Sequence, residues 1–305
     1  MRRKNIELGI IKLCLLGMLS GCAGTPEVKD DTYTKAQLNN ESLDVLFATE
    51  FPVDSEEDAL ARADFALNEG DVDKALFFYI RALLFNPENV QLLSHIGNVQ
   101  MQREYYAKAK LAYLLAKQYD PTYSIALEGL GLIYMVEGMN AQAKIEFEAA
   151  IANNDRLWRS HNALGVYADK SSNYLAAQDH YNAALLINPK AASVLNNRGY
   201  SKFLAGDSDG AMLDLYEAAF DRGFSQAWAN LGMVYANQGW YEDALVTYQN
   251  VMSDAHAYNN TGEIALRNGA IDEAERFLNE AIILSPTYFP EAERNLRRLA
   301  ELNSL

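Results

Sequence analysis

Residues 124–157 read SIALEGLGLIYMVEGMNAQAKIEFEAAIANNDRL. Leu127, Leu130, Gly131 and Tyr134 fall at i, i+3, i+4 and i+7. Beyond a turn at Gly138, Ala143, Phe147 and Ala150 fall at i, i+4 and i+7. Each set occupies one face of a helix. The small residues Gly131 and Ala143 stand where two helices cross closely, and the large ones fill the space beside them. A helical hairpin of this size cannot bury its apolar face alone, so it needs copies on either side.

The chain supplies the copies. Second-helix alanines recur at Ala75, Ala109, Ala143, Ala177, Ala211, Ala244 and Ala274, with spacings of 34, 34, 34, 34, 33 and 30. First-helix glycines recur at Gly97, Gly131, Gly165, Gly199, Gly232 and Gly262, on the same ruler. Pro87, Pro121, Pro189 and Pro286 each close a second helix, which proline cannot continue. Ser55 followed by Asp58 is a helix-start signal that opens the array. A helical period of 34 with this pattern resembles the tetratricopeptide repeat, TPR. The resemblance implies an all-α, right-handed superhelical solenoid. Seven repeats are expected at 55–89, 90–123, 124–157, 158–191, 192–224, 225–254 and 255–288. The first has Ala63 where glycine usually sits, the fifth lacks the closing proline but has Gly223 nearby, and the sixth is short by about one helical turn. Residues 289–305 contain an amphipathic helix, with Ala292, Leu296 and Leu299 inside and Glu291, Glu293, Arg294, Arg297, Arg298 and Glu301 outside. Such a helix caps the end of a solenoid.

The start of the chain is of another kind. Arg2, Arg3 and Lys4 precede an apolar run from Ile10 to Leu19, which is too short to cross a bilayer and matches a secretory leader. The run ends in Leu19-Ser20-Gly21-Cys22, which resembles a bacterial lipobox. That resemblance implies a signal peptide at 1–21, cleavage before Cys22 and lipidation of its thiol. Ala23 and Gly24 follow, with no aspartate beside the cysteine, which in such lipoproteins implies the outer membrane and a periplasmic orientation. Residues 22–54 then form a lipidated N-terminus and flexible linker, within which Leu43, Leu46 and Phe47 have helical spacing. The other cysteine, Cys14, lies in the leader, so the mature chain has no internal disulfide.

Charge limits the partners. The whole chain carries −15. Residues 1–21 hold four basic side chains and one acidic, +3, which leaves −18 on the remainder. A body this acidic repels nucleic acid and anionic lipid, so its membrane attachment comes from acyl chains.

Catalytic and metal signatures are missing from the sequence. His95, His161, His180 and His256 lie in different repeats or helices without ligand-spaced companions, and no paired cysteines occur. Asp207-Ser208-Asp209-Gly210 begins like a calcium loop but lacks its later acidic positions and falls in a repeat turn. Gly129-Leu130-Gly131 has neither the third glycine nor the strand of a dinucleotide site. No nucleophile signature is recognisable. The expectation is a protein without catalysis, cofactor, metal or small-molecule substrate.

A binding surface remains. The TPR resemblance implies that first helices line a concave groove through positions two, five, nine, twelve and thirteen of each repeat. In the third repeat these are Ile125, Glu128, Leu132, Met135 and Val136, and in the fourth Arg159, Asn162, Val166, Asp169 and Lys170. In the fifth they are Ser193, Asn196, Tyr200, Phe203 and Leu204, and in the sixth Gln226, Ala229, Met233 and Asn237. Ile125, Leu132, Met135, Val136, Asn162, Val166, Asn196, Tyr200, Phe203 and Met233 are the candidate groove residues. Apolar groups on such a wall are covered either by a partner or by neighbouring first helices. Asn98, Asn162, Asn196, Asn197, Asn230, Asn259 and Asn260 can bond a peptide backbone or the next repeat. The fifth positions Ser94, Glu128, Asn162, Asn196, Ala229 and Asn259 include no lysine, which argues against a clamp for a C-terminal carboxylate. An apolar or amphipathic segment fits better.

Leu195-Asn196-Asn197-Arg198-Gly199-Tyr200-Ser201, Tyr258-Asn259-Asn260-Thr261-Gly262 and Leu284-Ser285-Pro286-Thr287-Tyr288-Phe289-Pro290 are similar to the later repeats of TadD-like lipoproteins of tight-adherence (Flp) pilus systems. The resemblance implies pilus assembly at the outer membrane, through a secretin or another assembly subunit held in the groove. Two other readings stay open: an adaptor for periplasmic cell-wall hydrolases or proteases, and an enzyme without a recognisable signature.

Overall fold

The computed structural model describes residues 53–303. The leader, Cys22 and the linker residues Leu43, Leu46 and Phe47 lie outside the described residues. Within them the chain forms fifteen α-helices and one π-helical turn, with no strand.

The helices pair as hairpins. α1 (Glu56–Asn68) pairs with α2 (Val72–Phe85), α3 (Val90–Gln102) with α4 (Tyr106–Tyr119), and α5 (Ser124–Val136) with α6 (Asn140–Asn153). α7 (Trp158–Lys170) pairs with α8 (Tyr174–Ile187), and α9 (Ala192–Leu204) with α10 (Ser208–Tyr216), which runs on into the π turn Glu217–Asp221. α11 (Ser225–Asn237) pairs with α12 (Tyr241–Tyr248), α13 (Asp254–Arg267) with α14 (Ile271–Leu284), and α15 (Pro290–Asn303) ends the series. The helices divide into two compact units, one up to Asn154 and one from Asp155. In the first unit α2 packs on α3 and α4 on α5. In the second, α8 packs on α9, α10 on α11, α12 on α13 and α14 on α15.

Local chemistry sets the ends. The Ser55 hydroxyl accepts from the Asp58 amide at 3.1 Å and starts α1. Asp207 does the same for the Gly210 amide at 2.9 Å, so the stretch resembling a calcium loop is a helix cap. Pro87, Pro121, Pro189 and Pro286 each stand two residues beyond a second helix. Most hairpin turns use a left-handed glycine such as Gly138, at φ 75°. In the second and fourth hairpins Glu104 (φ 60°) and Ser172 (φ 56°) occupy that place at a cost of about 1–2 kcal/mol each.

Each hairpin from the second onward closes on a large side chain set against a glycine. A Cβ on Gly97 would lie 2.5 Å from the Tyr113 ring, one on Gly131 2.7 Å from Phe147, and one on Gly165 2.5 Å from Tyr181. Gly199 meets Leu215, Gly232 meets Tyr248 and Gly262 meets Leu278 in the same way. The period of the sequence is therefore the period of one steric event, in which the backbone of a first helix rests on a second-helix side chain. Gly129 receives a further role here. It lies against the Tyr113 ring of the preceding hairpin, which is thus held between two glycines.

The irregular repeats have physical causes. α12 is 8 residues long where second helices such as α2, α4 and α6 have 14, which accounts for the shortened sixth repeat. In the fifth, α10 relaxes into a π turn, and Gly223 at φ 67° lets the Phe224 amide reach the Ala218 carbonyl at 2.9 Å. This closure stands in for proline. On α15, Ala292 and Leu299 are buried and Leu296 is half-buried, while Glu291, Arg294, Arg297, Arg298 and Glu301 are exposed.

Candidate partner-binding surface

The first helices of the second unit meet one another side by side, α7 with α9 and α9 with α11. Asparagines spaced by about one repeat bridge them. The Asn197 amide donates to Asn162 at 3.0 Å and Asn230 donates to Asn196 at 2.8 Å, while within α9 Asn196 donates to Asn197 at 3.3 Å. At the end of the unit Asn295 of α15 donates to Asn259 at 3.1 Å. These amides join neighbouring helices. Asn196 is 3% exposed, so its place on an open groove wall is corrected: it is a buried link between first helices.

Charged groups reinforce the stack. Asp169 of α7 accepts from Tyr181 within its hairpin at 2.7 Å and from Ser201 of α9 at 2.6 Å. Within the fifth hairpin, Arg198 of α9 grips buried Asp214 of α10 with two hydrogen bonds of 2.7 Å, and Lys202 adds a third contact at 2.8 Å. Tyr79 donates to Asp64 at 2.7 Å, as Tyr181 does to Asp169. Burial, then the hydrogen bond and charge of the neighbouring carboxylate, push the Tyr79 and Tyr181 phenols well above their ordinary value of 10.0. Burial raises Tyr248 as well, because the packed seam accepts only the neutral phenol.

With these bonds in place, the ten candidate groove residues separate. In the first unit Ile125 and Leu132 are half-buried, whereas Met135 is 37% and Val136 55% exposed at the end of α5. In the second unit Asn162 is held in the ladder. Val166 and Phe203 pack on the core around Tyr181 and Leu215, and Met233 packs on the core around Tyr248. Tyr200 is 38% exposed, and Leu204 beside it on α9 is similarly open. Among the candidates and their neighbours on the first helices, the open apolar surface is therefore Met135 and Val136 in one unit and Tyr200 and Leu204 in the other.

Two features escaped the sequence reading. On α10, Leu213 and Tyr216 with Phe220 of the π turn are exposed at i, i+3 and i+7. Tyr216 and Phe220 stack at 4.2 Å, and Phe220 meets Trp228 of α11 at 4.0 Å. That spacing was readable. The second feature is a meeting of histidines: the Nδ1 atoms of His161 and His180 are 3.3 Å apart, although the two residues sit on different helices of one hairpin. The other two are engaged elsewhere. His95 stacks on Tyr79 at 5.1 Å, and His256 lies 2.7 Å from the Ser253 hydroxyl.

The geometry of each unit defines a class, helical hairpins packed in series with exposed apolar residues on some first helices. Comparison with known proteins gives that class its name. Models described as tetratricopeptide repeat match residues 162–224 and 250–289, and residues 225–253. The chain is 26% identical over 217 residues to tetratricopeptide repeat protein 6 of Homo sapiens, a match that covers 70% of this chain and 40% of that protein. It spans about a quarter to two fifths of the length of the first curated relatives it matches. Among solved structures, the Cut9–Hcn1 hetero-tetramer of the APC/C superposes with a TM-score of 0.58 at 18% identity, over 85% of this chain and 51% of that one. A tetratricopeptide repeat protein from Parabacteroides merdae superposes with a TM-score of 0.52 at 17% identity, over 80% of this chain and 98% of that one. The fold is that of tetratricopeptide repeats.

Proposed function

We propose that this chain is a non-catalytic scaffold that holds a protein segment against its first helices. The observation that carries the reading is the exposure of Tyr200 and Leu204 on α9, beside a polar ladder whose amides are already paired. Neither side chain is needed to close a hairpin seam, and both offer area to an apolar or amphipathic segment. Both family models describe tetratricopeptide repeats, and neither describes an enzyme.

The partner is a pilus-assembly protein at the outer membrane, an outer-membrane secretin or a neighbouring subunit. The Asn-Asn-x-Gly stretches and the ending Leu284–Pro290 support this reading through their likeness to TadD-like lipoproteins. Cys22 carries the lipid, and the repeats face the periplasm. Tethering raises the partner's effective concentration near its insertion site. Replacing Cys22→Ser should release the protein from the outer membrane with its helicity intact and lower the number of surface pili. Tyr200→Glu with Leu204→Glu should leave the anchor in place and abolish capture of the secretin. Undiminished piliation in both variants would overturn the assignment.

A further inference from the structure

Two residues beyond each seam glycine the first helices are closed to solvent. Val99, Ile133, Tyr167, Ser201, Val234 and Ile264 stand there, and their exposure runs from 0% to 9%. Phe65 stands at the same place in α1, two residues beyond Ala63, and is 64% exposed. Like the other first helices α1 is paired with a second helix, α2, so the difference lies elsewhere. What α1 lacks among the described residues is a helix ahead of it. Ala61, on the same side of α1, is exposed too, whereas its counterpart Gly129 lies against the Tyr113 ring of the preceding hairpin. The preceding second helix is therefore the cover that Phe65 and Ala61 are without.

The chain ahead of α1 can supply it. Residues 43–51 read LDVLFATEF, in which Leu43, Leu46, Phe47 and Phe51 fall at i, i+3, i+4 and i+8, on one side of a helix. Connections of equal length, 86–89, 120–123, 154–157 and 188–191, join each of the first four second helices to the first helix that follows. A helix ending at Phe51 meets α1 across a connection of that same length, 52–55, which holds Pro52 as 86–89 holds Pro87. So short a helix does not persist alone in water, but so short a connection keeps it at high effective concentration beside Phe65. We propose that residues 40–51 form a helix that docks on the uncovered side of α1, with Leu43, Leu46, Phe47 and Phe51 laid over Ala61 and Phe65. Asp58 and Arg62, paired at 2.9 Å, form the polar border of that side. With the lipid proposed for Cys22, on which the docking itself does not depend, the free tether shrinks to residues 22–39. Its reach falls from about 29–34 Å to about 21–25 Å.

Hydrogen exchange of the full chain, read by mass spectrometry, tests the docking. The amides of residues 43–51 should exchange about 100-fold more slowly than in an unstructured chain, whatever the protein concentration. Phe65→Glu, a change at an exposed position, should cut that protection by about tenfold or more while α2 exchanges as before. Phe47→Glu should do the same from the other side of the contact. Free exchange of residues 43–51 in the unaltered chain would overturn the proposal. If α1 then slowed as the protein was concentrated, its open side would belong to a second copy instead. Protection of residues 43–51 that survives Phe65→Glu would overturn it equally.

Discussion

Inside a hairpin and between hairpins the chain solves different problems. Inside, the contact common to the repeats is steric: Tyr113 on Gly97 and Tyr181 on Gly165 leave no room for a methyl group, and polar bonds such as Arg198 to Asp214 are additions in single hairpins. Between the first helices of the second unit, polar bonds do the joining: Asn162, Asn196, Asn197 and Asn230 form a ladder, and Asp169 accepts from Ser201. The steric seam recurs with the 34-residue period and reports only the fold. The polar stack is peculiar to its own repeats. Once both are satisfied, Tyr200 and Leu204 are still exposed on α9.

Alkali strikes the seam hardest. The Tyr79, Tyr181 and Tyr248 phenols are raised above 10.0, mainly by burial. A group with a raised folded value contributes stability that is complete below its unfolded value and is lost as pH rises towards the folded one. Urea unfolding should therefore be steady below about pH 10 and weaken sharply above it, with tyrosinate absorbance rising together with loss of helicity. Early tyrosinate absorbance from all three, without unfolding, would show the seam to be loose. Next in size is Gly97→Val, which drives methyl groups into the Tyr113 ring and should cost about 3 kcal/mol in urea unfolding.

The polar stack should yield smaller losses. Asp169→Ala strips the acceptor from Tyr181 and Ser201 together and should cost about 2 kcal/mol, since bonds to a charged group are the stronger kind. Asn196→Ala removes its bond with Asn230 and should cost about 1 kcal/mol. If Asn196→Ala proved as costly as Gly97→Val, the distinction between seam and stack would fail.

The seam was legible in the sequence because a repeated steric contact must repeat its residues. Ala75 to Ala274 and Gly97 to Gly262 could be placed on faces from spacing alone. The ladder was half legible. Asn162, Asn196 and Asn230 stand one full period apart, which puts them at matching positions of successive first helices, yet spacing could not say whether they bond a peptide or each other. Val166, Phe203 and Met233 looked open because their burial depends on how neighbouring helices lean. The histidine pair had no such signal, since residues 19 apart meet only through the particular turn at Ser172 and Asn173.

The most direct test of the scaffold places a photo-crosslinking residue at position 200, on the exposed face of α9, in the full chain within cells. The buried position 164 serves as control. A scaffold of the proposed kind gives a covalent adduct with one pilus-assembly protein from position 200 and none from position 164. Absence of any adduct at 200 in cells that assemble pili would contradict it.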